Sequence, residues 1–420
     1  MEQPTIRFRA LRPAVANDGA TKLDLLVSVK APELPPNQAT AQRPALNLSL
    51  VIDRSGSMHG SKLSNAKQAA KFLVGELGAN DRLSIVTFDE RVNVVVPSQP
   101  VTDPLVFLSA ISTIKSGGYT DLYQGWVEGA HQVAEFVNPA GVNRVLLLSD
   151  GEANEGLTSH VEIGQKVAGL NARGISTSAF GIGEGFDEDL MGAVASGGDG
   201  TLAHIENPDQ LADLYASELR GLVATAGRRV SFNVQPKNGA AVSDVLNDLP
   251  VLKGGEYQLP NLRYGQELNI GLRLTLPAWE PNQHILSLQL GWDDPGATER
   301  QMLEQSLIMP IMAGAELLAM EPDGVVAEKF ALLKANRTRR LAIAEMDKGN
   351  DQGATAYMAK CDAELALLDQ TDDVVMERKL LAEKRKMIGK NRNMTRKRLS
   401  KESLRSSTNV WNKEDADSGQ

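Results

Sequence analysis

The chain has 420 residues, 42% of them hydrophobic and 23% charged, an ordinary globular composition that excludes wholesale disorder. At about 100–200 residues per domain that length implies two or three domains. With 44 Lys+Arg against 53 Asp+Glu, the formal net charge of -9 argues against a polyanion binder. The single cysteine, Cys361, rules out a disulfide framework or a cysteine zinc cluster, and the five histidines lack the H-E-x-x-H spacing of a zincin. Residues 1–12 lack the apolar core of a signal peptide, and no window approaches the roughly 18 uninterrupted apolar residues of a membrane span. The expectation is a soluble, cytoplasmic protein.

Residues 5–11 and 22–30 read as two strands around the turn Asn17-Asp18-Gly19, with Leu23, Leu25, Val27 and Val29 alternating as in a half-buried strand. A Pro/Gln/Ala-rich stretch at 31–44 reads as a linker. From residue 46 the pattern changes. Short apolar runs at 46–52, 83–88, 92–96, 145–148 and 175–181 alternate with helical patterns at 62–77, 104–114, 122–137, 161–172 and 208–224. Continuous Val/Ile/Leu runs mark strands buried on both faces, and their alternation with helices implies a mostly parallel sheet covered on both sides. Residues 45–226 are therefore predicted to form a doubly wound, Rossmann-like α/β domain.

Residues 227–311 carry strand-like runs at 229–234, 256–259, 267–276, 284–292 and 301–311, joined by Gly, Pro and Asn turns without helices. They are predicted to form an all-β, sandwich-like domain. The N-terminal hairpin of 1–44, which has no partner in the α/β block, is assigned to it. Residues 312–389 are helical, with apolar residues at three- and four-residue spacing over 327–346 and 357–368 and a break at Lys348-Gly349-Asn350. The segment 377–405 holds twelve Lys/Arg and three Glu, a charge of +9 that leaves -18 for the rest. Residues 390–420, basic and then polar, read as a disordered tail.

The run Leu48-Ser49-Leu50-Val51-Ile52-Asp53-Arg54-Ser55-Gly56-Ser57-Met58 is the most informative. A buried strand ends in an aspartate, and two hydroxyls follow at alternate positions around a glycine. Open α/β sheets bind ligands at the carboxyl ends of their strands, so Asp53, Ser55 and Ser57 converge where such a fold places its site. A carboxylate and two hydroxyls are hard oxygen donors, suited to Mg²⁺, Mn²⁺ or Ca²⁺ rather than zinc. Two later segments can complete the set: the strand 145–148 running into Ser149-Asp150-Gly151-Glu152, and the loop Ser116-Gly117-Gly118-Tyr119-Thr120-Asp121. Asp53 and Asp150 also suit the caps of following helices, and Asp121 and Glu152 could pair as acid and base.

D-x-S-x-S, then a Gly-Gly loop with Thr120, then L-S-D-G-E resembles the von Willebrand factor A domain family and its metal-ion-dependent adhesion site. The resemblance covers about 45–226. It implies that Ser55 and Ser57 bind the metal directly, that Asp53 orients the metal and its waters, that Thr120 joins in the ligand-binding state, and that Asp150 acts through water. Arg54 and the inserted Tyr119 depart from the usual pattern. The resemblance implies Mg²⁺ or Mn²⁺ ahead of Ca²⁺, no catalytic residues, and a partner protein offering an exposed Asp or Glu. Because the layout looks like that of bacterial cytosolic members, a MoxR-type AAA+ ATPase is a partner suggested by analogy. Two other readings stand beside this one: a metal-assisted hydrolase, and a scaffold binding nucleic acid through 377–405.

Overall fold

A computed structural model describes residues 3–34, 44–139, 141–150, 153–183, 186–205, 224–252, 254–294 and 299–388, together with Leu214, Ala216, Glu218, Thr395, Arg396 and Leu399. It divides into two compact units: Leu34–Arg229 with Asp293–Arg300, and Met1–Glu33 with Val230–Trp292 and Gln301–Gln420. Among the described residues no helix is long and apolar enough to cross a membrane. The strands β1 (Thr5–Ala10), β2 (Val15–Ala16) and β3 (Thr21–Lys30) precede the α/β unit.

That unit runs β4 (Leu46–Asp53), α1 (Ser61–Glu76), β5 (Arg82–Phe88), β6 (Val92–Pro100), α2 (Pro104–Thr113), α3 (Leu122–Ala134), β7 (Val142–Ser149), α4 (His160–Asn171), β8 (Ser176–Ile182), α5 (Glu188–Gly197) and β9 (Leu202–Ile205). The sheet order is β6-β5-β4-β7-β8-β9, parallel except for the antiparallel pair β5 and β6. Every residue of β4 and β7 is buried, as the unbroken apolar runs require. Successive strand side chains point to opposite faces. Leu48, Leu50 and Ile52 of β4 pack with Leu63, Ala66, Leu73 and Val74 of α1 and Phe107 of α2. The other face of β4 meets α3 so closely that a Cβ on Gly129 would lie 2.2 Å from Val51 Cγ2. Trp126 of α3 also donates its indole N–H to Thr177 Oγ1 at 3.1 Å. The sequence pattern does not mark α5 or β9. Asp187 caps α5 by accepting from the amides of Asp189 and Leu190, a cap that a Gly-rich surrounding conceals. The predicted helix over 208–224 lies largely outside the described residues.

The second unit continues with β10 (Thr225–Pro236, from Val230 onward), β11 (Ala241–Val245), β12 (Tyr257–Gln258), β13 (Leu262–Arg263), β14 (Glu267–Leu276), β15 (His284–Asp293, up to Trp292), β16 (Arg300–Ile308, from Gln301 onward) and β17 (Ile311–Met312). Its sheets run β1-β3-β14-β11 and β12-β10-β15-β16, with β13 beside β10. β3 is paired with β14 along its full length, Thr21↔Leu276 to Lys30↔Glu267. Leu23, Leu25, Val27 and Val29 of β3 share one core with Ile270, Leu272 and Leu274 of β14 and with Leu286, Leu288 and Leu290 of β15. The helices α6 (Gly314–Ala319), α7 (Gly324–Asp347), α8 (Asp351–Leu365) and α9 (Asp372–Ile388) follow. Leu26, which breaks the alternation of β3, packs with Leu246 and with Val326, Phe330 and Leu333 of α7. The helical region therefore shares a compact unit with the strands, whereas the sequence reading lists 312–389 as a separate segment. Of the basic stretch 377–405, residues 377–388 belong to α9, where Glu377 and Lys384 are buried; the expected disordered tail, 390–420, lies outside the described residues except for Thr395, Arg396 and Leu399.

Candidate metal centre

Asp53 is the last residue of β4, and Asp150 follows directly on β7, its parallel neighbour. The chain leaves β4 for β5 on one side, while β7 lies on the other. The carboxyl ends of β4 and β7 thus frame the point where strand order reverses, the ligand position of open α/β sheets.

Asp53 has no exposed surface. Its Oδ1 accepts the backbone N–H of Ser55 at 2.8 Å, and its Oδ2 accepts the hydroxyl of Ser149 at 2.5 Å. Burial pushes its carboxyl up to about 6, although the bonds from Ser149 and Ser55 pull it down; nearby Asp150 raises it further. Asp53 is therefore a buried carboxylate held by neutral donors. It caps no helix: Ser55 precedes the single 3-10 turn Gly56–Met58 and Gly60 precedes α1.

That turn aims the two serines together. Ser55 Oγ and Ser57 Oγ lie 3.1 Å apart, and Ser57 donates to Asp150 Oδ1 at 2.8 Å. The second oxygen of Asp150 accepts from Lys62 Nζ at 2.5 Å. Asp53, Ser55, Ser57 and Asp150 are joined in one hydrogen-bonded network, and Thr120 is brought alongside through the backbone of its loop. Gly56 N–H donates to the Gly118 carbonyl at 2.8 Å, and Gly117 N–H to the Arg54 carbonyl at 2.6 Å. The buried Thr120 donates its amide to Asn154 Oδ1 at 2.9 Å.

The turn between β5 and β6 supports the same loop. Asp89 pairs with Arg54 at 2.7 Å, and Glu90 Oε2 accepts the Tyr119 amide at 2.9 Å. The approach requires glycine: a Cβ on Gly117 would lie 2.0 Å from Asp89 Oδ2, and one on Gly118 1.6 Å from Glu90 Oε2. Arg54 and Tyr119, the two departures from the usual motif, are therefore both engaged in holding this loop, and Tyr119 is left 67% exposed at the rim. Asp121 accepts the Gln124 amide as the cap of α3; Gly151 and Glu152 lie outside the described residues.

The donors are two carboxylates and hydroxyls, with no cluster of three or more His, Cys, Asp or Glu among the described residues that could hold a metal. Hard oxygens of this kind suit Mg²⁺, Mn²⁺ or Ca²⁺. A buried carboxylate whose pKa is raised beside a second one is also a place where a cation relieves the cost of burial. The residues present fit such an ion. Ser149 lies within the sequence motif without a role assigned to it there, and Lys62, Asp89, Glu90 and Asn154 are not marked for this site by the motif. For Asp89 a signal existed, since it too follows the carboxyl end of a strand of the sheet.

Fold and site together define a class, the doubly wound α/β domains with an oxygen-only constellation at the switch point of the sheet. Residues 47–217 match the von Willebrand factor type A domain model, and the chain carries a domain of that family. Bacterial relatives include the uncharacterised protein sll0103 of Synechocystis sp., 29% identical over 76% of this chain and 78% of the relative, and the uncharacterised YfbK of Escherichia coli, 28% identical over 54% of this chain and 38% of the relative. The solved von Willebrand factor type A protein from Catenulispora acidiphila has the same fold, with a TM-score of 0.69 at 17% identity over 98% of both chains.

Proposed function

We propose that the α/β unit is a metal-dependent protein-interaction module without catalytic activity of its own. The observation that carries this reading is the convergence of Asp53, Ser55, Ser57 and Asp150 on the switch point, with the two hydroxyls 3.1 Å apart. Asp53, Ser55, Ser57, Thr120 and Asp150 hold Mg²⁺ or Mn²⁺ in this reading. The bound ion supplies an electrophilic centre that an exposed Asp or Glu of a partner protein can ligate. Ser55 and Ser57 contribute neutral oxygens, which add no negative charge to the ion's surroundings. The fixed Gly117-Gly118 loop and the exposed Tyr119 form the rim that a partner meets.

The absence of catalysis rests on the disposition of the nearby groups. Lys62 is engaged with Asp150, so it is not poised to take a proton from a substrate. The proposed partner class is an AAA+ ATPase of the MoxR type, by family analogy. Affinity capture from native extract in Mg²⁺ or in EDTA, with wild type and Asp53→Ala, tests the reading. A partner retained by wild type in Mg²⁺ and lost both in EDTA and in the variant supports it; capture indifferent to metal and to Asp53 refutes it.

A further inference from the structure

Lys62 is an unexpected member of this site. It is the second residue of α1, in a first turn that carries no acidic residue. Helix amides already concentrate positive charge there, so a lysine is disfavoured by the helix itself. Its side chain leans back along the helix, as helical side chains do. The stem passes over Gly183 just beyond β8, where a Cβ would sit 3.4 Å from Lys62 Cε. Its ammonium reaches Asp150 Oδ2 at 2.5 Å, while Asp150 itself is almost wholly buried. Ser57 holds the other Asp150 oxygen. A cation is thus fixed against one of the two acidic groups of the metal centre, at a helix position unfavourable to it.

We infer that Lys62 is a positioning residue that sets the residual charge of the loaded site and thereby makes it select an anionic ligand. The inference rests on the metal-dependent reading above. Asp53 and Asp150 bring -2, which would neutralise a divalent ion completely and remove its demand for a further carboxylate. Lys62 returns +1. The loaded site then carries a formal +1, which one carboxylate from outside brings to zero. Lys62 weakens the hold on the metal and strengthens the hold on the acidic ligand. A purely structural lysine, pinning α1 to the strand ends, has the opposite signature for metal, because its loss would loosen Asp150.

Mn²⁺ titration of the metal-stripped full chain, read by electron paramagnetic resonance of the free ion, separates these roles. Lys62→Met should bind Mn²⁺ roughly tenfold more tightly than wild type, the low end for a unit charge a few ångströms from an ionic site. Lys62→Arg, which keeps the charge, should stay close to wild type. Sodium acetate in place of sodium chloride at matched ionic strength should tighten Mn²⁺ binding in wild type and in Lys62→Arg, and less in Lys62→Met. Lys62→Gln repeats the charge removal with a polar side chain and replaces Lys62→Met if that variant does not melt cooperatively in EDTA. Equal or weaker Mn²⁺ binding by the neutral variants, with wild type saturable, overturns the role of Lys62 and leaves the metal reading standing. Absence of saturable Mn²⁺ binding in every form removes both.

Discussion

At the scale of single residues, Asp53 carries a testable burden. Its carboxyl is raised from 3.8 to about 6 chiefly by burial. Between those values the folded chain binds a proton that the unfolded chain does not, so stability falls as pH rises through the window. The full difference is on the order of 3 kcal/mol once both states are ionised. Asp53→Asn retains the shape without the charge. In EDTA it should melt above wild type at about pH 8, with the gap closing towards about pH 4; a variant less stable than wild type at every pH would contradict this. Asp53, Ser55, Ser57 and Asp150 could be singled out in the sequence because a buried strand ending in Asp places its next residues at the sheet's ligand edge, and Thr120 because its Gly-Gly loop completes the motif that the family resemblance supplies. Lys62 and Ser149 could not. One is an ordinary lysine in a helical pattern, the other a hydroxyl closing an apolar run, and their partners lie 88 and 96 residues away.

At the scale of elements, two close approaches make the position of the site depend on glycine. Gly129→Ala forces a methyl group against Val51 in the α3–β4 contact and should cost about 1–3 kcal/mol in urea denaturation, the usual cost of overpacking. Gly118→Ala instead meets the movable end of Glu90. It should leave the melting temperature nearly unchanged while weakening Mg²⁺ affinity, because Glu90 no longer fixes the Tyr119 amide beside Thr120; unchanged affinity would mean that this loop contributes nothing to the ion. The α/β succession was readable because strands buried on both faces leave long apolar runs. Strands as short as β2 and β13, two residues each, leave no period to read. Leu26 obscured the pattern of β3 because β3 touches the sandwich core on one face and α7 on the other.

At the scale of the whole molecule, the doubly wound fold was evident from composition and periodicity, whereas the association of helices with strands in the second unit depends on contacts distant in sequence. Within its helices, Arg339 and Glu377 form an ion pair with both side chains 2% exposed. Removing one partner strands a buried charge, so Arg339→Met or Glu377→Gln should each cost about 3–5 kcal/mol, while the paired apolar replacement Arg339→Met with Glu377→Leu should recover most of it. Chemical denaturation of the three variants checks this, and additive losses would place the two groups outside a shared pair.

The proposed function requires a divalent ion at the strand ends of β4 and β7. Isothermal titration of Mg²⁺ and Mn²⁺ into the metal-stripped chain, wild type against Asp53→Ala, measures it most directly. One saturable site per chain in wild type, and none in a variant that keeps its circular dichroism spectrum, is the predicted result. No saturable uptake by wild type, or uptake untouched by Asp53→Ala, would contradict it.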